Sequence, residues 1–233
     1  MTEAQLDQSC YVETVRAFFD EQYRQHERYW WKGDNRYCLD PARHTSFHAK
    51  VLQVAIEELP GRALDVGAGE GADAIRLAKL GYDVDAIELS PVACEKMEAF
   101  ARDESVRINI RNESVLSAEL ERRAYAVVIM NGSLHYVSEK TELLQRIRQA
   151  SSPAAVHIMS LFSTATPVPA AHATTPVFPD DEHGVVEETY LSDRLLYATY
   201  LRGKAENSHP GFGPHEHSFI NQIIRLARGR NND

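Results

Sequence analysis

The sequence predicts an α/β protein built on a doubly wound, mostly parallel sheet of seven strands, preceded by an N-terminal helical arm. Three observations carry that prediction. From residue 62 onward, short apolar runs alternate with amphipathic stretches at helical spacing, the rhythm of strands joined by crossover helices. The run "AVVIM" at 126–130 is apolar without alternation, as a central parallel strand covered on both faces requires. Between the first apolar run and its helix stands "GAGEG", a turn that brings the backbone close to whatever lies above the sheet.

Taken in order, residues 12–28 place Val12, Val15, Phe18 and Phe19 on one face of a helix and charges on the other. The stretch "YWWKGDNRYCLDPARHTSFHAKVL" that follows is dense in aromatic and cationic residues and broken by Gly33 and Pro41, which predicts a loop or lid. Helical spacing returns at 45–58 and stops at Pro60 and Gly61. "RALDVG" then reads as a strand, "ADAIRLAKL" as a helix stopped by Gly81, and "DVDAIEL" as the second strand. Ser90 is the N-cap and Pro91 the first residue of the next helix. Val106, Ile108 and Ile110 alternate as a third strand; "AVVIM" is the fourth, "KTELLQRIRQA" a helix and "AAVHIMSLF" at 154–162 the fifth strand. Residues 164–184 hold four of the ten prolines and no period, so an irregular segment over the sheet's top edge is expected. "DRLLYATYLRG" and "HSFINQIIRLAR" allow two further strands as an antiparallel hairpin, although a helix over 218–228 fits almost as well locally. Residues 1–44 thus read as an arm and aromatic lid, and 45–233 as a single ligand-binding domain.

A chain of 233 residues has room for one domain with a sizeable core. Its 34 acidic and 25 basic residues give a net charge of −9, which argues against a general nucleic-acid surface. The start "MTEAQLDQSC" has no basic and apolar leader pattern, and no stretch is long and apolar enough to cross a bilayer, so a cytoplasmic protein without membrane association is expected. Cys10, Cys38 and Cys94 are odd in number and widely separated, which indicates reduced thiols.

Gly67, Gly69 and Gly71 form G-x-G-x-G, one residue tighter than the G-x-G-x-x-G of dinucleotide sites. Asp65, Glu70 and Asp73 stand within or beside the turn, where a pyrophosphate would meet like charge. A cationic ligand removes that conflict. Glu88 stands 19 residues after Gly69 at the end of the second strand, where a carboxylate can accept hydrogen bonds from both ribose hydroxyls. A ribonucleoside with a cationic, non-phosphate appendage describes S-adenosylmethionine (SAM).

"LDVGAGEGADA" and "DAIELS" resemble the first and second motifs of the class I SAM-dependent methyltransferases, and the resemblance spans about residues 45–163. It implies a Rossmann-like methyltransferase fold, with Asp65 and Gly67, Ala68, Gly69 and Gly71 around the methionine part, Glu88 on the ribose and Leu89 beside the adenine. Where the family usually places an Asp near the adenine amino group this chain has "RNESV", so Glu113 or Asn112 stands in, with Ser114 adjacent. "VVIMNGSLHYV" resembles the fourth-strand motif, which puts Asn131 and Gly132 under the cofactor and His135 and Tyr136 toward the methyl donor. The tail, Tyr190 to Tyr197 and His215 to Ile224, is similar to the tellurite-resistance group and its small-molecule relatives.

The implied reaction is methyl transfer to an oxygen, nitrogen or sulfur atom of a small molecule, as in secondary metabolism. His135 is the candidate general base, its ordinary pKa of ~6.5 suiting a hydroxyl or amine nucleophile. Trp30 and Trp31 can fold over the pocket, where a ring face attracts a sulfonium or excludes water. His172, His209 and His217 are expected to line a polar substrate pocket, with Arg43 and Tyr136 also facing the substrate. His209, His215 and His217 have no evident carboxylate or cysteine partner, so no metal is expected. The rival readings are a SAM-binding protein of the same fold without methyl transfer, a regulator or cyclase, and an NAD-dependent oxidoreductase. The oligomeric state and the acceptor are left open.

Overall fold

The computed structural model describes residues 3–30, 33–169, 172, 175–206 and 215–228. Its central strands are β1 (Arg62–Val66), β2 (Asp83–Glu88), β3 (Asn109–Asn112), β4 (Tyr125–Asn131) and β5 (Ser151–Phe162), all parallel to their neighbours among these five. The tail adds β6 (Arg194–Glu206) and β7 (His215–Arg225), and the sheet order is β3-β2-β1-β4-β5-β7-β6. The class expected from the sequence is thus observed, as a mixed sheet: β7 runs antiparallel to both β5 and β6.

Helices α1 (Glu3–Gln25), α2 (Ser46–Glu57), α3 (Ala72–Lys79), α4 (Pro91–Asp103), α5 (Lys140–Ala150) and α6 (Val185–Tyr190) complete the chain. Val128 and Met130 of β4 join the core layer under α5, while Val127 and Ile129 join the opposite layer with α2 and α3. Adjacent residues serving opposite layers explain why "AVVIM" shows no polar alternation. The order of strands reverses between β1 and β4, so the crevice at their carboxyl ends is where a ligand is expected in such a sheet.

Three local details follow from packing. The third strand begins at Asn109, not near Val106, because Ser105 turns into the left-handed region at φ 56° and Val106 N–H closes the end of α4 on Ala101 O at 2.9 Å. The two further strands expected of the tail are observed as an antiparallel pair, the last over His215–Arg225 along the edge of β5, in place of the helix alternative at 218–228. The helix α6, unread in the sequence, is started by Asp180, whose carboxylate accepts from Val185 N–H at 3.1 Å and Val186 N–H at 2.9 Å. No helix among the described residues is long and apolar enough to cross a membrane.

Candidate active site

The turn after β1 is held by its own backbone: the N–H groups of Gly67 and Ala68 both donate to Ile87 O, at 2.8 and 3.2 Å. Gly67 (φ 68°) and Gly71 (φ 79°) lie in the left-handed region, and a Cβ on them would meet Ser133 Cβ at 2.5 Å and Met97 Cγ at 2.4 Å. Those positions need glycine on both counts. Glu88, at the end of β2, accepts from Gly69 N–H at 2.8 Å and Ser90 N–H at 2.7 Å, which fixes its carboxylate under the turn. Burial pushes its pKa up against those hydrogen bonds.

These groups open onto one cavity of about 600 Å³. Its floor holds Asp65, Gly67, Ala68, Gly69, Asn131, Gly132 and Ser133; Glu88, Leu89, Glu113 and Ser114 line one end. The structure therefore brings all the residues expected to hold the cofactor, Gly71 excepted, onto one surface; Gly71 serves as the N-cap of α3. Helix α1 lies over the cavity through Val15, Arg16, Phe19 and Tyr23, and Phe19 meets Tyr136 edge to face at 5.1 Å. Trp30 also lines the cavity, its Nε1–H donating to Tyr23 Oη at 3.1 Å. Trp31 and His209 lie outside the described residues.

Asp65, Glu70 and Asp73 all line the cavity, and two of them are also engaged by protein groups. Glu70 turns away from the turn to accept from the backbone N–H groups of Tyr29 (3.1 Å) and Trp30 (3.2 Å) and from Lys96 Nζ (3.1 Å), so it clamps the arm. Asp73 pairs with Arg76 at 2.9 Å and accepts from Asn131 Nδ2 at 2.9 Å. Burial opposes its ionisation, but Arg76, His48 and Asn131 outweigh it and hold its pKa below the ordinary value. Asp65 is pushed the other way, well above the carboxylate range, by burial first and by the Asp73 charge second. Its Oδ2 and the Ser133 hydroxyl are buried without a hydrogen-bond partner, and both belong to the cavity floor. Two such atoms lining one cavity suit a ligand with a polar, cationic end.

On the acceptor side, His135 is buried on a short turn of helix after β4. Its Nδ1 receives Phe162 N–H at 3.4 Å, and its ring stacks on Phe162 with centroids 3.8 Å apart. A neutral imidazole accepting at Nδ1 carries its proton on Nε2. In that tautomer the lone pair that a general base would use is the one facing Phe162 N–H. His172 and His217 do not line the cavity: His217 stacks on Phe162 at 4.1 Å and His172 packs against His217, one ring layer behind the wall. Arg43 is exposed on the turn Pro41–Arg43 and is not among the lining residues.

The sequence reading missed several lining residues: Arg36, His48, Phe162, Leu201, Lys204, Phe219 and Asn221. His48 faces the cavity from α2 beside Phe47; burial drives its pKa down to about 4 against the pull of Asp73, so it is a neutral imidazole. Its spacing from Phe47 and Val51 on α2 was legible, but not which face of α2 meets the turn. Arg36 comes from the stretch between α1 and α2, and the others from β5, β6 and β7, whose pairing depends on distant residues.

Comparison with known proteins agrees with this geometry. Residues 63–154 match the family model of a methyltransferase domain. The ubiquinone biosynthesis O-methyltransferase of Xanthomonas campestris is 30% identical over 155 residues, 64% of this chain and 61% of that protein. The chain thus spans about three fifths of the length of such relatives. Among solved structures, TehB from Haemophilus influenzae superposes with a TM-score of 0.65 at 16% identity, over 78% of this chain and 63% of TehB. The Burkholderia thailandensis 1,6-didemethyltoxoflavin-N1-methyltransferase, solved with 1,6-didemethyltoxoflavin and S-adenosylhomocysteine, superposes with a TM-score of 0.59 at 20% identity, over 93% of this chain and 89% of that one. With its glycine turn, its strand-end glutamate and the match at 63–154, the chain carries a methyltransferase domain on a Rossmann-like fold and is similar to the class I SAM-dependent methyltransferases.

Proposed function

We propose that the protein transfers the methyl group of SAM to a nucleophilic atom of a small, partly aromatic molecule, with oxygen favoured by the similarity to ubiquinone biosynthesis O-methyltransferases. The observation that carries this reading is the single cavity shared by the glycine turn, Glu88 and an aromatic far wall of Phe162 and Phe219. The cofactor, when bound, supplies a methyl already activated on a sulfonium. Glu88 accepts from the ribose hydroxyls, while Leu89, Glu113 and Ser114 flank the adenine. Asp65 Oδ2, Ser133 Oγ and the backbone around Asn131 and Gly132 receive the amino-acid end; this fits the orphaned atoms of the floor.

Transfer then needs alignment and a dry cavity more than a proton carrier, and orientation alone is worth ~7–11 kcal/mol. Residues 1–44 act as the lid, closing the cavity with Phe19, Tyr23 and Trp30 and keeping water from the methyl. Tyr136 and the Nε2–H of His135 orient the acceptor. An acceptor that is already anionic or an amine free base needs no further help.

The test is incubation with methyl-labelled SAM and a panel of phenols, amines and thiols, read by mass spectrometry, beside calorimetry with S-adenosylhomocysteine and NAD. Methylated phenol and binding of S-adenosylhomocysteine alone are expected. S-adenosylhomocysteine binding with no product from any acceptor class would move the protein to the non-transferring reading, and NAD binding would overturn the cofactor.

A further inference from the structure

Behind Phe162, outside the cavity, three histidines from separate parts of the chain converge. His215 and His217 stand two residues apart on β7, so the pleat turns both rings to one face. His172 reaches them from the irregular stretch between β5 and α6, and the rings of His172 and His217 are 5.0 Å apart, those of His215 and His217 4.6 Å. One ring nitrogen of each lies within 4.8 Å of the other two. His172 and His217 are 4% and 3% exposed, so the cluster is held largely away from water.

We propose that His172, His215 and His217 bind a zinc ion. The distances favour it: Nε2 of His172 and Nε2 of His217 are 3.2 Å apart, and two imidazoles bound at ~2.0–2.1 Å in a tetrahedron stand ~3.3 Å apart. A hydrogen bond between two neutral rings fits the same distance but does not include His215, whose nitrogen also lies within 4.8 Å of the other two. Imidazole is a donor that suits zinc, and three of them leave a fourth position for water or a small anion. The segment carrying His172 is already pinned at its base, where Asp180 N–H donates to Phe162 O at 2.9 Å and Thr164 N–H to Asp180 O at 2.9 Å. Zinc fastens the rest of that segment to the end of the hairpin. Because Phe162 stacks on His217 at 4.1 Å and on His135 at 3.8 Å, the ion also fixes the ring that forms the cavity's far wall. This site stands apart from the methyl-transfer reading and does not depend on it.

The test uses the full chain, free of any affinity tag, stripped with a chelator and dialysed. Zinc uptake is measured by elemental analysis against a competing chelator, and Co(II) is added as a spectroscopic probe. One ion per chain and the intense visible bands of four-coordinate Co(II) are expected, with the affinity falling at least about 100-fold in His172→Ala and His217→Ala. Near-UV circular dichroism checks that each variant is folded. In the wild-type protein, zinc is also expected to slow hydrogen exchange at 163–180 and 215–219, a readout that needs no variant. Substoichiometric uptake, Co(II) without four-coordinate bands, folded variants that bind zinc as tightly as the wild type, or exchange unchanged by zinc would each overturn the site and leave a hydrogen-bonded histidine pair.

Discussion

Asp65 and Asp73 are neighbours of opposite fate, because Arg76 and Asn131 serve Asp73 while Asp65 keeps one oxygen without a partner. A carboxyl whose folded pKa is raised has its stabilising share in full below its unfolded pKa of ~3.9 and loses it as pH rises through the folded value. At neutral pH, Asp65→Asn is therefore expected to raise the melting temperature of the ligand-free protein, an advantage that vanishes in acid; scanning calorimetry at two pH values checks it. The same change weakens S-adenosylhomocysteine binding about tenfold, ~1.4 kcal/mol, since a charge-assisted hydrogen bond is lost. His135→Gln gives a second test: if the ring donates and does not abstract, turnover keeps most of its value and the wild-type profile shows no acid limb from this ring. A wild-type profile with that limb, abolished by the substitution, would restore the base role. At this scale Glu88 was legible because its distance from the turn is set by one strand–helix–strand unit. Glu70 was not, because its partners are backbone N–H groups some forty residues away, invisible to any local pattern.

The arm is an element whose only sequence signature was its amphipathic face, yet its attachment is specific. Phe19 and Tyr23 stack at 5.9 Å, Tyr23 and Tyr29 meet edge to face at 5.7 Å, and Glu70 anchors the chain where the helix ends. Removing the carboxylate strands two backbone donors and takes a partner from Lys96, a loss of about 2–3 kcal/mol. Glu70→Ala is expected to raise hydrogen exchange over residues 23–30 and to speed cofactor release, with exchange in β1, β4 and β5 unchanged. Exchange rising equally across the sheet would show instead that the arm and the sheet open as one unit. Strands β1, β2 and β4 were legible from apolar runs and punctuation. The hairpin was legible only as one of two options, because Ile220, Ile223 and Ile224 suit a buried strand or a helix face equally until the edge of β5 is in place.

Over the whole molecule, one loss of stability in acid comes from a residue far from the cavity, in the same sense as that of His48. His157, on β5, is fully buried, its Nε2 paired with Ser151 Oγ and its Nδ1 with Tyr190 Oη, both at 2.7 Å. Burial, with a smaller push from Arg148, lowers its pKa to about 3. The unfolded chain takes up this proton near ~6.5, so between those values the unfolded state binds one proton more than the native state. Stability from this group is therefore intact above ~6.5 and falls by about 1.4 kcal/mol per pH unit below it. Asp65 and Glu88, whose raised values gain from acid, work in the opposite sense, so the total profile alone does not isolate the histidine. Comparison with His157→Asn does, since every other group titrates in both proteins. The variant keeps one hydrogen bond and loses the other, so it is less stable at pH 7.5. Urea unfolding at pH 7.5, 6.5 and 5.5 is expected to show that deficit narrowing as the wild type, and not the variant, meets the cost of a neutral buried imidazole. A deficit that stays constant over the same range would mean that His157 titrates alike in the folded and unfolded chain, and that the loss in acid comes from elsewhere.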